Sequence, residues 1–211
     1  MKMLEKFGII PVDYTTVVTA LGNYKSPKDK LSGLENSGDL IRLKKGLFVV
    51  ASKIHNQQIS KQLIANHLYG PSYVSLESAL SFYGLIPERV YSTRSMTLKR
   101  GKIFSTPLGD FDYVKTSAAY FKIGVRQEII NDQYAYLIGT PEKSICDMII
   151  ATPSLRLQSV KAMQIYLEED LRMDLSAMAT FDIEIIQQCL ATGRKKIELT
   201  QLCKLLKNEC V

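Results

Sequence analysis

The chain has 211 residues, of which 46% are hydrophobic and 23% are charged, a balance typical of a globular protein that buries a sizeable core. No apolar run approaches the roughly 20 residues of a membrane-spanning helix, and the N-terminal residues lack the apolar centre of a signal peptide, so we expect a cytoplasmic protein with no membrane partner. The net charge of +6 is compatible with a polyanionic partner but does not require one.

The cysteines give no indication of a zinc site or of disulfides. Cys146, Cys189, Cys203 and Cys210 are widely spaced and include no C-x-x-C pair, and neither histidine lies near them in the sequence. In a cytoplasmic protein this pattern predicts reduced, structural cysteines. We therefore expect neither a metal nor a cofactor.

Two helices are predicted near the N-terminus. Asp13 is a suitable N-cap for a helix over Tyr14–Leu21. Ser26 followed by Pro27 begins a second helix, because serine can cap the first amides and proline is already set to helical φ. This helix is predicted to end near residue 37. The short turn between the two helices suits a steep crossing angle.

A basic β-hairpin is predicted directly after the second helix. Residues 40–43 and 47–50 favour strands, and Lys44-Lys45-Gly46 joins them, because glycine tolerates the positive φ of a tight turn. A short helix followed by a basic-tipped hairpin is typical of a winged helix-turn-helix, in which the helix enters a DNA groove and the hairpin reaches the phosphates. The sequence therefore predicts double-stranded DNA as the partner.

The second helix carries candidate base contacts and candidate phosphate contacts. Ser32 and Asn36 lie on its outward face and can hydrogen-bond base edges. Lys25, Lys28 and Lys30 at its start can bind phosphate. The alternative is a solvated helix in a winged helix that contacts another protein.

The hairpin carries the stronger phosphate candidates, Arg42, Lys44 and Lys45. Strand alternation predicts Arg42 and Lys44 on the face opposite Ile41 and Leu43, with Lys45 at the tip. Such charges also protect edge strands from aggregation, which is the alternative explanation.

The predicted fold is α+β, with a winged helix-turn-helix followed by an α/β domain that has an antiparallel sheet and a helical C-terminal portion. A polar stretch at residues 53–58 separates a domain over residues 1–52 from one over residues 59–211. Short connections indicate a mostly antiparallel sheet. Predicted helices cover residues 59–69, 75–83, 140–150, 155–167, 182–191 and 198–208, the last three within the helical part 151–211, and predicted strands cover 90–98, 102–105, 109–115 and 134–138.

A second basic run within residues 89–102 contains Arg89, Arg94, Lys99, Arg100 and Lys102 and no acidic residue. If the strand continued to Arg100, alternation would place Arg94 and Arg100 on one sheet face. This surface would extend a DNA footprint or meet RNA or an acidic partner. A solvated sheet face explains it equally well.

Asp110 and Asp112 form the one pattern that suggests catalysis. Carboxylates at i and i+2 on a strand project to the same side and can hold a divalent metal for nucleotidyl transfer or nuclease chemistry. However, residues 101–109 leave no room for the helix that such sites place before the carboxylates, and common catalytic motifs are missing from the sequence. We therefore predict no catalytic residues and no enzyme, with this metal-dependent chemistry as the alternative.

Four stretches of the sequence, taken in this order and spacing, form a larger pattern. The first is Gly38-Asp39-Leu40-Ile41-Arg42-Leu43-Lys44-Lys45-Gly46-Leu47-Phe48. The second is Tyr73-Val74-Ser75-Leu76-Glu77-Ser78-Ala79-Leu80 with Gly84-Leu85-Ile86-Pro87-Glu88. The others are Gly109-Asp110-Phe111-Asp112-Tyr113 and Thr140-Pro141-Glu142-Lys143-Ser144-Ile145-Cys146-Asp147.

This pattern resembles the AbiEi-type antitoxins of abortive-infection toxin–antitoxin systems, over about two-thirds of the chain. The resemblance implies a transcriptional regulator whose winged helix represses its own operon. It also implies a second domain that counteracts a nucleotidyltransferase-like toxin without forming a stable complex with it.

Overall fold

The structure, a computed structural model, describes residues 2–22, 24–88 and 90–209. Within these residues the protein has an α+β fold with one three-stranded and one six-stranded sheet. Cys146, Cys189 and Cys203 are buried and form no disulfide. Two residues for which a role was predicted, Arg89 and Cys210, lie outside the described residues.

The described residues up to Val50 form three helices and a small antiparallel sheet. Asp13 caps the second of these helices, as predicted, because its Oδ1 accepts from Thr16 N at 2.7 Å. The apolar sides of the helices pack with the sheet around the buried side chains of Val17, Leu31 and Phe48. The elements are α1 (Lys2–Glu5), β1 (Val12–Asp13), α2 (Tyr14–Leu21), α3 (Pro27–Asn36), β2 (Leu40–Lys44) and β3 (Leu47–Val50), with strand order β1-β3-β2.

The remaining residues build a sheet with helices around it. The predicted helices and strands are present with boundaries that differ by a few residues, and the polar stretch after β3 contains a short helix. In chain order the elements are α4 (Ser52–His55), α5 (Lys61–Leu68), β4 (Ser72–Val74), α6 (Leu76–Phe82), β5 (Thr93–Thr97), β6 (Lys102–Thr106), β7 (Gly109–Lys115), α7 (Ala118–Phe121), β8 (Val125–Ile130), β9 (Tyr134–Gly139), α8 (Pro141–Ala151), α9 (Val160–Ile165), a π-helical turn (Tyr166–Asp170), a 3₁₀ helix (Leu175–Thr180), α10 (Ile183–Thr192) and α11 (Lys196–Glu209).

The second sheet is mixed, so the prediction of an antiparallel sheet was wrong. Its strand order is β6-β7-β5-β4-β9-β8. The hairpin of β6 and β7 places β7 against β5 in parallel, with Ser95 opposite Tyr113. Strand β4, which the sequence analysis missed together with β8, pairs antiparallel with β5 and parallel with β9. These pairings join strands that are distant in the chain, and local sequence patterns do not encode them.

The hairpin of β2 and β3 packs directly on the second sheet. Leu43 and Val49 share one buried cluster with Ile64, Val74 and Phe111. The division of the chain at residues 53–58 stays a prediction, but residues on both sides of it contribute to this cluster. The hairpin is consequently held against the sheet by apolar contacts.

Candidate nucleic-acid interface

A groove of about 660 Å³ lies between α3 and the hairpin. Its apolar lining comes from side chains on α2, α3 and β3, and its polar lining comes from four of the predicted DNA-binding residues. The lining residues are Tyr14, Lys28, Leu31, Ser32, Arg42, Lys45, Gly46 and Phe48. The structure therefore brings together residues from the start of α3 and from the hairpin tip.

The start of α3 is organised differently from the prediction. Ser26 occupies the N-cap position, but its side chain accepts no hydrogen bond from the helix amides. Its hydroxyl instead donates to Asp29 Oδ2 at 2.5 Å. Pro27 occupies the first turn, where its missing N–H costs no helix hydrogen bond. Pro27, and not a hydrogen bond to the Ser26 side chain, therefore marks the start of the helix.

The predicted α3 residues have different environments. Lys28 and Ser32 are exposed and line the groove. Lys25 is exposed before the helix, and Lys30 Nζ lies 5.3 Å from the ring centroid of Tyr24. Asn36 is exposed at the last residue of α3. The groove thus gathers two of the five predicted residues of this segment.

Arg42 crosses the groove from β2 and binds α3. Its guanidinium donates to both carboxylate oxygens of Glu35, at 2.8 and 3.1 Å, and lies 5.3 Å from the ring centroid of Phe48. About half of the Arg42 side chain remains exposed. Because Glu35 neutralises part of its charge, we expect Arg42 to bind a phosphate less strongly than an unpaired arginine would.

Lys44 does not share a face with Arg42, which corrects the prediction from strand alternation. A register shift between the two residues breaks the alternation, and Lys44 Nζ donates to the backbone oxygen of Leu68 on α5. Burial, with a smaller effect of Lys99 and Lys102, lowers the pKa of the Lys44 ammonium group. Lys44 therefore fastens the hairpin to the end of helix α5.

Lys45 is the exposed cation of the hairpin tip. Gly46 beside it has φ +79°, as the tight turn requires. The hairpin tip is also held by the start of α2, because the Tyr14 backbone N–H donates to Gly46 O at 3.0 Å. Among the described residues Lys45 has no carboxylate partner, so its charge is available to a polyanion.

The second predicted basic surface is divided by the structure. Arg94 was expected on one strand face with Arg100, but β5 ends at Thr97 and Arg100 lies in the connection to β6. Arg94 donates to Glu77 at 2.8 and 2.9 Å and to Asp112 at 3.0 Å. Two carboxylates therefore neutralise Arg94, and it does not belong to a cationic surface.

Lys99 and Lys102 remain exposed and lie next to the hairpin. Lys99 Nζ is 5.1 Å from the ring centroid of Tyr69, and Lys102 Nζ is 4.6 Å from that of Phe104. Both ammonium groups are close enough to Lys44 to lower its pKa. We call Lys44, Lys99 and Lys102 the lysine cluster; it lies where β2 contacts β6.

The alternative metal site has little support in the geometry. Asp112 accepts from Arg94, and Asp110 is exposed and lies opposite Ser105 in the β6–β7 pairing. Within residues 2–22, 24–88 and 90–209, no group of three His, Cys, Asp or Glu side chains is arranged to hold a metal ion.

A buried charge cluster on α8 was missed by the sequence analysis. Lys143 Nζ and Asp147 Oδ1 lie 3.5 Å apart, and both side chains are fully buried. Asp147 Oδ2 accepts from Tyr73 OH at 3.0 Å and from Ser75 Oγ at 2.6 Å. Burial raises the pKa of Asp147, although Lys143 opposes this effect. This cluster is enclosed and joins α8 to β4 and the start of α6.

The sequence contained one signal of this cluster. A lysine and an aspartate at i and i+4 normally indicate an exposed helix face. However, every residue of helix α8 from Glu142 to Ile149 is buried. The sequence pattern alone does not distinguish this fully buried helix from an amphipathic helix with an exposed polar face.

Among the described residues, no helix has both the length and the apolar character needed to cross a membrane. No protein-family model matches the chain, and no curated protein matches its sequence. The resemblance to AbiEi-type antitoxins therefore rests on the four stretches quoted above.

Proposed function

We propose that the chain is a DNA-binding transcriptional repressor of the winged helix-turn-helix type, which represses its own toxin–antitoxin operon and counteracts a nucleotidyltransferase-like toxin. In this proposal α3 is the helix that enters the DNA groove, and the hairpin of β2 and β3 is the wing. The protein acts in the cytoplasm, and its partner is its own operator.

The groove between α3 and the hairpin is the observation that carries this proposal. Lys28 lines the groove from α3 and Lys45 lines it from the hairpin, and the Ser32 hydroxyl, also in the lining, can bond a base edge. Both lysines are exposed and lack an ion-pair partner among the described residues. Phosphates that flank an inserted helix are the natural ligands of such a pair.

The lysine cluster supports a longer footprint. Lys99 and Lys102 are exposed just beyond the hairpin, and apolar contacts between the hairpin and the second sheet fix their position relative to Lys45. DNA backbone that passes the hairpin tip would meet these two ammonium groups next. Arg94 is excluded from this footprint, because its charge is neutralised by Glu77 and Asp112.

The antitoxin half of the proposal is supported by the sequence resemblance alone. It is tested separately. An adjacent gene for a nucleotidyltransferase-like protein should be toxic when it is expressed alone and tolerated when this chain is co-expressed. Toxicity that persists with co-expression contradicts the antitoxin role and leaves the DNA-binding role to be judged separately.

The DNA-binding half is tested with the full-length protein and a fluorescent duplex from the region upstream of its gene. In the double variant Lys28→Ala/Lys45→Ala, two phosphate contacts are lost, so the slope of log affinity against log salt should become shallower by ~0.9 for each contact. Fluorescence anisotropy at several salt concentrations measures this slope.

The matched control is Lys161→Ala/Lys204→Ala, which removes two exposed lysines from α9 and α11. It changes the net charge equally but leaves the groove intact. Equal slopes for the two double variants would show that general charge, and not the groove, attracts the DNA.

The apolar lining of the groove favours a second candidate function, a protein-interaction module. Leu31 and Phe48 form part of the lining, and they would suit an apolar side chain of a peptide. This alternative predicts capture of a stoichiometric protein partner and no retardation of DNA at low salt. If the protein retards the upstream duplex, and this retardation depends on Lys28 and Lys45, the result favours the repressor over the protein-interaction module.

A further inference from the structure

A second cleft, of about 480 Å³, opens between the end of β7, helix α7 and the turn that joins α10 to α11. It is separate from the α3 groove and has no residue in common with it. Its volume falls within the range of small-molecule sites. The lining residues that matter here are Lys115, Ser117, Tyr120, Ile150, Thr192 and Arg194.

The polar lining of this cleft is cationic. Lys115 and Arg194 are exposed, and neither has an ion-pair partner among the described residues. No acidic residue lines the cleft. Lys196, the first residue of α11, is a third exposed cation two positions beyond Arg194 in the chain. The electrostatic character of the cleft therefore favours an anion.

The hydroxyl groups of the cleft complement these cations. Ser117 Oγ accepts from Tyr120 N at 3.4 Å, so the Ser117 proton is available for donation. Thr192 Oγ1 donates to Gln188 O at 2.9 Å and can still accept a hydrogen bond. The cleft thus offers a hydroxyl donor to an anion and an acceptor to a hydroxyl or amine.

The floor of the cleft is apolar and held in place. Tyr120 is buried, and from below Lys143 Nζ lies 3.0 Å from its ring centroid and donates to its backbone oxygen at 2.9 Å. A Cβ added at Gly193 would meet Cys189 O at 2.6 Å and the Tyr120 ring at 3.0 Å. Only glycine lets the α10–α11 turn pack this closely on Tyr120, so the floor and the cationic rim keep a fixed spacing.

We propose that this cleft binds a small organic phosphate. The phosphate lies between the Lys115 ammonium and the Arg194 guanidinium and accepts a hydrogen bond from Ser117. The organic part lies against Tyr120 and Ile150. Two sources share this chemistry, a free nucleotide-like metabolite and the phosphorylated end of a nucleic-acid strand. The site is independent of the DNA-binding groove.

Isothermal titration of the full-length protein with adenosine 5′-monophosphate and with inorganic phosphate, at constant ionic strength, tests the proposal. Both probes should bind, and the nucleotide should bind more tightly because it also contacts Tyr120 and Ile150. In Lys115→Ala/Arg194→Ala, affinity for both should fall by roughly tenfold or more, because two charge-assisted hydrogen bonds are lost. Both residues are exposed, so the variant should fold.

The matched control is Lys122→Ala/Lys204→Ala, which removes two exposed lysines outside the cleft, at the end of α7 and on α11, and should leave the affinity for both probes unchanged. Affinity that is the same in the wild-type protein and in Lys115→Ala/Arg194→Ala would overturn the proposal, since it would reflect a general response to anions. Phosphate binding without any gain from the adenosine would overturn the role of the apolar floor.

Two further measurements separate the sources and the sites. Comparing a 5′-phosphorylated single strand with its unphosphorylated counterpart tests the nucleic-acid end, and a preference for the free nucleotide supports a metabolite. Binding of the upstream duplex should be unchanged in Lys115→Ala/Arg194→Ala. Failure of the cleft and failure of the DNA-binding groove are therefore distinguishable.

Discussion

The α3 groove and the α8 charge cluster use the same kinds of side chain in opposite surroundings. Lys45 in the groove is exposed at the hairpin tip, whereas Lys143 in the cluster is fully buried against Asp147. An exposed ammonium keeps its hydration and is available to a polyanion. A buried ammonium loses its hydration and needs compensating partners, so it fixes the packing of the elements that supply them.

Lys44 lies between these two extremes and shows that neighbours in sequence can belong to different environments. It precedes Lys45 directly, yet it is half-buried and donates to Leu68 O. Its charge is partly desolvated and bound to backbone, whereas that of Lys45 faces solvent. The degree of burial, and not the residue type, therefore separates anchoring lysines from candidate binding lysines.

The largest expected effect is the loss of stability when the α8 charge cluster is broken. Asp147→Ala leaves the buried Lys143 ammonium without its carboxylate and removes the acceptor of Tyr73 and Ser75. Breaking a buried pair in this way costs about 3–5 kcal/mol of unfolding free energy. Urea denaturation followed by circular dichroism measures the loss.

The double variant Lys143→Met/Asp147→Leu sharpens this prediction, because it removes both charges and keeps the volume filled. It should be more stable than Asp147→Ala, since no buried charge remains unpaired. If Asp147→Ala lost less than about 1 kcal/mol, within the range of exposed pairs, the contrast between the buried and exposed regions would not hold.

The sequence predicted the helices of both regions because their ends are marked locally. Asp13 caps α2 and Thr140 caps α8, and proline occupies the first turn of α3 and of α8. The sheet order was not predictable in this way. The parallel pairs of β5 with β7 and of β4 with β9 depend on contacts between distant segments. Strand β8 was not predicted because polar residues occupy its centre.

The candidate site was predictable in composition but not in arrangement. The basic residues of the hairpin are visible in the sequence, but the register shift that separates Arg42 from Lys44 is a property of strand pairing. Likewise, the pairing of Arg94 with Glu77 and Asp112 requires α6, β5 and β7 to be adjacent. Charge can be counted along a chain, but its neutralisation depends on tertiary contacts.

A smaller effect should distinguish Lys45 from its neighbour Lys44 in their contributions to DNA binding. Lys45→Ala removes a proposed phosphate contact, so the salt slope of DNA binding should become shallower by ~0.9 while stability changes by less than about 0.5 kcal/mol. Lys44→Met keeps the packed stem and should leave the salt slope nearly unchanged. Anisotropy titrations at several salt concentrations compare the two variants, and equal slopes would contradict the separate roles.

The smallest effect concerns the ion pair that restrains Arg42. Glu35→Gln removes a carboxylate beside the groove and releases the guanidinium, so DNA affinity should rise, by up to about fivefold, because an exposed pair contributes at most about 1 kcal/mol. Glu128→Gln is the matched control, since the Arg126–Glu128 pair has a similar distance and similar exposure but lies on β8. It removes the same charge and should leave affinity nearly unchanged. An equal rise in both variants would mean that the added net charge, and not the release of Arg42 into the groove, strengthens binding.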